Sequence, residues 1–247
     1  MNNEQKNYIK QLETKIAQDD LQAKLQWANF YSFEYPEYIN NDDIIAKIIS
    51  YYEEGVLQED VTSCTNLGAI YYSGIFIKQD FTKAIELYTK AADLGEPQAM
   101  CNLGYCFYYG RDIKVDYQKA FECFILSSLY DNVNAMYKLG DMYLDEKYLT
   151  KNEKMAYVMF EKAYDNYYDD FNHLYADITY RLAKCLFYGI GTDIDIFQAY
   201  EHIQASEYNY YLKLKDGNDP FAEKLLRKSQ KLKDEIQVQI EKTVFPL

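Results

Sequence analysis

Few residues in this chain have both the type and the spacing needed to do chemistry together. There are two histidines, His173 and His202, and neither has a second His or a Cys at ligand spacing, so no zinc-type site is expected. Of five cysteines, Cys101 and Cys106 lie five apart, on different faces of any helix. Cys64, Cys101 and Cys123 lack a basic neighbour that would favour a thiolate. Gly189, Ile190 and Gly191 are not followed by Lys and Ser or Thr, and they read as a helix-ending turn, not a phosphate loop. Asp165, Asp169 and Asp170 do not have the spacing of a calcium loop. The basic run Lys224, Arg227, Lys228 and Lys231 has the period of the wet face of a helix; contact with an acidic neighbour is the sharper reading. No catalytic residue, metal ligand or cofactor is assigned, and the chain is expected not to be an enzyme.

Charge narrows the partners. The 247 residues carry 26 Lys and Arg against 39 Asp and Glu, a net charge of −13. The excess is uneven, with 12 acids and 5 bases in residues 1–60 and 11 acids and 5 bases in residues 121–180. Phosphate binding needs Lys and Arg clustered on one face, so nucleic acid is not an expected partner. The first twenty residues are charged throughout and lack the apolar core of a signal peptide. No run approaches the ~18 apolar residues of a membrane span. Five cysteines, an odd number, fall inside helical patterns and read as reduced thiols. These features predict a cytoplasmic protein with no membrane contact.

The elements that position these residues announce themselves as a repeat. The clearest copy runs Ala99, Leu103, Gly104, Phe107, Gly110, Asp116, Lys119, Ala120. The copy before it reads Ser63, Leu67, Gly68, Tyr71, Gly74, Asp80, Lys83, Ala84, and the one after it Ala135, Leu139, Gly140, Tyr143, Glu146, Asn152, Met155, Ala156. Leu67, Leu103 and Leu139 are each 36 residues apart. Weaker copies flank these: Ala23, Trp27, Ala28, Tyr31, Glu34 and Asn40 on one side, Leu182, Ala183, Leu186, Gly189, Asp195 and Ala199 on the other.

Each position has a physical reason. Ala, Leu and the aromatic recur every four residues and share one helix face. The small residue after Leu lets a partner helix approach closely. Gly74, Gly110 and Gly189 stand where the first helix must end in a left-handed cap. Asp80, Asp116 and Asp195 then begin the second helix as N-caps, each stabilising by about 1 kcal/mol. Glu146 replaces the capping glycine in the fourth unit, where a different turn is expected. Cys106 and Cys185 share a repeat position, which points to packing. A single hairpin of this kind cannot bury its apolar face, so neighbours must stack and the ends must be capped. The stripe Tyr8, Ile9, Leu12 and Ile16 predicts an N-terminal capping helix. Asp219 and Pro220, followed by Phe221, Leu225, Leu232, Ile236 and Ile240, predict a C-terminal one.

At these residues the chain resembles the Sel-like repeat family, 36-residue relatives of tetratricopeptide repeats. The blocks from Asn66 to Gly74 and from Asp80 to Gly95 are similar to its consensus. The resemblance implies an all-α, right-handed superhelical solenoid of about five helix pairs with a concave binding groove. The expected organisation is a capping helix over 1–21, the repeats over 22–208, and a linker with a capping helix over 209–247. The stretch 165–176 lengthens one loop. The paired cysteines of the family's secreted branch are absent, in keeping with a cytosolic location.

If the first helix of each pair lines the groove, as the resemblance implies, its non-core residues face a partner. These are Tyr72 in the second unit; Tyr105, Tyr108 and Tyr109 in the third; Tyr137, Asp141 and Asp145 in the fourth; and Tyr180, Lys184 and Tyr188 in the fifth. Thr65, Phe187, Asn29 and Phe33 occupy related places. Tyrosines with a few acids suit a protein-binding floor, because rigid aromatics lose little entropy on contact. The expected function is a non-catalytic interaction module or adaptor binding a peptide or protein surface. The alternative is an inhibitor or immunity-type protein whose acidic surfaces neutralise a basic toxin or enzyme. The partner's identity and the oligomeric state are not encoded in these patterns.

Overall fold

The computed structural model describes residues 1–39, 41–167, 174–216 and 221–245. Asn40, Asp169, Asp170, His173, Asp219 and Pro220 lie outside them. The described residues form helices and no strands. They divide into two units, Met1–Asp116 and Tyr117–Leu247.

In the first unit α1 (Asn3–Ile16) begins in a capping box, Asn2 and Gln5 each taking the other's backbone N–H. Ile9 and Leu12 enter the core, while Tyr8 stays largely exposed. Helix α2 (Leu21–Asn29) runs into a π-helical turn at Phe30–Glu34 and a 3-10 turn at Pro36–Tyr38 before α3 (Asp42–Leu57). Then come α4 (Val61–Ser73), α5 (Phe81–Asp93) and α6 (Pro97–Tyr109). The second unit holds α7 (Tyr117–Ser128), α8 (Val133–Leu144), α9 (Glu153–Asp165), α10 (Tyr175–Tyr188), α11 (Ile196–Asp216) and α12 (Ala222–Val244).

Two turns recur. Between the helices of a pair, Gly74, Gly110 and Gly189 adopt left-handed φ of 67°, 66° and 69°. The first residue of the next cap then donates its N–H back across the loop. Asp80 bonds to Tyr71 O at 3.0 Å, Asp116 to Phe107 O at 3.0 Å, Asn152 to Tyr143 O at 2.9 Å and Asp195 to Leu186 O at 3.0 Å. The cap side chains of Asp80, Asn152 and Asp195 accept from Lys83 N, Met155 N and Gln198 N. Between pairs, a second left-handed residue precedes the N-cap of the next first helix: Asp19 before Asp20, Glu59 before Asp60, Gly95 before Glu96 and Asp131 before Asn132.

The fourth unit keeps the glycine turn without the glycine. Helix α8 stops one residue early, at Leu144, and Glu146 takes φ of 52° in the place of Gly74 and Gly110. The loop's hydrogen bond, Asn152 N to Tyr143 O, holds a side-chain-bearing residue in the strained region.

In the α4–α5 and α8–α9 pairs a ring packs against bare backbone. A Cβ on Gly68 would lie 2.7 Å from the Tyr88 ring, and one on Gly140 would lie 2.3 Å from the Phe160 ring. Both rings are buried. At the end of the second unit α12 packs Leu232 and Ile236 against Ala183, Leu186, Ala199 and Ile203. Phe221 does not join the inward stripe expected of it: it is 66% exposed, and Ala222 and Leu226 face inward instead.

Gly140→Ala is expected to destabilise the protein by about 1–3 kcal/mol, because the Phe160 ring must move from a packed site. Glu146→Gly is expected to act oppositely, relieving the left-handed strain for a gain of about 1 kcal/mol. Paired urea melts of the two variants would show opposite shifts in midpoint; a shift of the same sign in both would contradict this account of the two turns.

Candidate functional site

In the first unit the expected contact residues gather around one cation. The Arg111 guanidinium lies 5.3 Å from the Phe81 and Tyr109 ring centres and 5.9 Å from that of Tyr72, and its Nε donates to Tyr72 Oη at 3.3 Å. Tyr105 stacks on Tyr109 one turn away, with centroids 6.1 Å apart. Tyr108 meets Tyr109 edge-on at 5.0 Å. These neighbours fare differently in exposure: Tyr108 is 7% exposed and Tyr109 50%. Tyr108 is therefore packing, not surface, because α6 buries a broad arc that also takes in Ala99, Cys101, Leu103 and Cys106. Thr65 is buried as well, with its hydroxyl on Val61 O.

In the second unit Tyr137 and Asp141 are occupied internally. Arg181 grips Asp141 in a two-pronged pair, Nε to Oδ1 at 2.7 Å and Nη2 to Oδ2 at 3.1 Å. Its guanidinium sits 4.4 Å from the Tyr137 ring centre. Burial works against the charge on Arg181, but Tyr137, Asp141 and Asp177 outweigh it and raise its pKa. Asp177 completes the cluster, accepting from Tyr210 Oη at 2.9 Å with Lys213 Nζ at 3.5 Å. Arg181 and Lys213 thus meet Asp141 and Asp177 inside the unit, so these groups are paired with one another. Asp145, by contrast, is exposed and pairs with Lys147 at 3.0 Å.

Tyr180, Lys184 and Tyr188 come together in one place. With Lys228, Lys231 and Glu235 of α12, they line a cleft of about 250 Å³ floored by Leu232. Tyr188 is 50% exposed and donates to Glu235 Oε2 at 2.7 Å. That carboxylate, with some burial, pushes the Tyr188 hydroxyl up to about 12. Sequence reasoning missed Arg111, Arg181 and the part played by α12. The three-to-four-residue spacing of Lys228, Lys231 and Glu235 did put them on one helix face; what it could not supply was the helix opposite.

The reactive residue types sit in inert surroundings. His202 has its pKa lowered by burial and meets Tyr164 edge-on at 5.0 Å. Burial pushes the Cys123 and Cys185 thiols up to about 11 and about 12, away from the reactive thiolate. Among the described residues no His, Cys, Asp or Glu group is arranged to hold a metal ion, and no helix is long and apolar enough to cross a membrane.

A model of the Sel1 repeat matches residues 61–96, 97–129, 133–168 and 179–206. The α2–α3 pair, though built on the same boundary turns, falls outside that match. Among solved structures, a Sel1 repeat protein from Oxalobacter formigenes is similar with a TM-score of 0.67 at 20% identity, over 89% of this chain and 58% of that one. The protective antigen c5321 of uropathogenic Escherichia coli, which displays an SLR fold, gives 0.58 at 21% identity, over 93% and 57%. Pseudomonas aeruginosa PA5086 gives 0.51 at 16% identity, over 92% and 88%. The chain thus spans less than two thirds of the length of the first two, and at these identities the likeness is one of fold. No curated protein matches the chain in sequence.

Removing Asp141 leaves Arg181 without its two-pronged partner in a largely buried site, so Asp141→Ala is expected to cost about 3 kcal/mol. Asp145→Ala, which breaks an exposed pair, is expected to cost less than about 1 kcal/mol. Urea denaturation compares the two; equal costs would contradict the internal role assigned to Asp141.

Proposed function

Because this chain belongs to the Sel1 repeat family, whose model covers more than half of it, we propose that it is a non-catalytic interaction module that binds a protein or peptide through its first-helix tyrosines. Sel1 repeats are in general protein-interaction scaffolds. The observation that carries the reading is a repeated one. Tyr109 and Tyr188 each stand immediately before the left-handed glycine of their repeat, one in each unit, and each leaves half its surface exposed. Exposed rings held by rigid helix ends are strong anchors, since burying one in a partner's pocket is commonly worth 2 kcal/mol or more.

Exposure and internal pairing support a narrower contact set in this reading. Tyr105, Tyr109, Tyr180, Lys184 and Tyr188 remain as contact residues, Tyr72 serves as a support for Arg111, and Tyr108, Tyr137 and Asp141 are structural. The binding reading makes no demand on His202 or the cysteines, whose surroundings suit packing.

The test is to tag the protein at its native level, purify it from its own host and identify what copurifies in stoichiometric amount. A parallel sample carries Tyr109→Ala with Tyr188→Ala, and a control carries Tyr148→Ala, another exposed tyrosine. The expected result is a single protein recovered with the wild type and the control and reduced at least about tenfold with the double variant. Full recovery with the double variant would sink the tyrosine-anchored reading. If the captured protein is a toxin or a basic enzyme, the module acts as an inhibitor, and the same variants report on that contact.

A further inference from the structure

The second unit contains a concentration of positive charge that its own acids do not satisfy. Lys184 projects from α10 and Lys228 and Lys231 from α12, all three onto the same cleft. None of them has a carboxylate within ion-pair distance among the described residues. Three such lysines on one cleft form a local positive patch in a chain whose acids outnumber its bases by 39 to 26. Several other cations of the unit are matched: Arg181 with Asp141, Lys213 with Asp177, Lys233 with Glu207 and Arg227 with Glu223. The cleft's own carboxylate, Glu235, is turned to the Tyr188 hydroxyl.

We propose that this cleft binds an acidic peptide segment of a partner protein, with carboxylate side chains on Lys184, Lys228 and Lys231. The inference rests on the reading of the chain as an interaction module and names the chemistry of its partner at this site. Lys228 and Lys231 are one turn apart on α12, and their like charges repel; an incoming carboxylate turns that repulsion into attraction. The floor selects for peptide over a bare anion. Leu232 is buried at the base and Tyr180 is half-buried in the wall, surfaces that favour the methylenes of glutamate and the peptide backbone. A volume of about 250 Å³ suits one or two side chains, not a folded surface. The chain's net charge of −13 repels an acidic ligand over most of its surface, so the attraction is confined to within about 8–10 Å of the lysines. That confinement makes the cleft selective.

The test titrates the purified full-length protein with dye-labelled hexaglutamate, followed by fluorescence anisotropy, alongside hexaglutamine and a ten-residue oligothymidylate carrying the same dye. Hexaglutamate is expected to bind saturably and to weaken as NaCl rises from about 50 to about 300 mM, while hexaglutamine does not bind. Lys184→Gln with Lys231→Gln is expected to weaken hexaglutamate at least tenfold, and Lys184→Arg with Lys231→Arg to restore it. Lys224→Gln with Arg227→Gln, on the part of α12 outside the cleft, is expected to change the Kd less than twofold; thermal melts confirm that each variant is folded. Absence of hexaglutamate binding, or binding that survives the Lys184 and Lys231 changes, overturns the proposal. Tighter binding of the oligothymidylate through the same lysines overturns it in favour of nucleic acid. If hexaglutamate fails while a tyrosine-dependent partner still copurifies, only the acidic assignment falls; if it binds and no partner copurifies, the interaction reading is what fails.

Discussion

The contact on which the structure depends is an aromatic ring laid on helix backbone that has no side chain in the way. Tyr88 over Gly68 and Phe160 over Gly140 bring paired helices closer than any Cβ would allow. Close approach of the axes shortens the distance that the connecting loop must span. A loop of seven or eight residues entered near a left-handed residue then suffices, and the backbone hydrogen bond from each cap residue back to the preceding helix closes it. The end of the first helix is thereby fixed in those two pairs; Tyr109 and Tyr188 stand at the corresponding ends of α6 and α10, each just before a left-handed glycine.

Arginines tie tyrosines of neighbouring repeats together. Arg111, just beyond α6, sits over Tyr72 of α4, and Arg181 of α10 sits over Tyr137 of α8. In each case a cation from one repeat rests on a ring from the first helix of the repeat before. Such rings are shielded by the guanidinium and hold neighbouring repeats in register. Tyr109 lies near Arg111 as well and is still half exposed, because it stands at the helix end just before the left-handed glycine, as Tyr188 does. An abundance of tyrosine therefore does not make every tyrosine a contact residue.

The repeat made most of the fold readable. The period of 36 residues, the glycines at 74, 110 and 189 and the caps at Asp80 and Asp195 depend on local backbone geometry, which local sequence encodes. Relations between repeats were harder to read. Asp141 looks like a surface acid until it is set beside Arg181, forty residues on, one repeat and the lengthened loop away. Tyr108 lies outside the two-helix core face and is buried only because α6 is covered over a wider arc. Glu146 shows the reverse case: its residue type argued for a changed turn, and the loop's backbone hydrogen bond preserved it. The basic stripe of α12 had the right period, but its meaning depended on where a helix distant in sequence came to rest.

The cross-loop hydrogen bond also bears on how such a chain grows. It joins two backbone groups nine residues apart, so it survives any substitution that leaves a backbone N–H, as the exchange of Asp for Asn at position 152 illustrates. In the α4–α5 and α8–α9 pairs the ring, the bare backbone beneath it and the loop closure all come from one stretch of chain. Such a stretch can be duplicated in a gene and fold against its parent without first acquiring a new internal design. The boundary between stretches is under looser constraint, and there Asp19, Glu59, Gly95 and Asp131 serve the same turn with different side chains. Lineages of this architecture are free to lengthen by copying and to diversify at the seams.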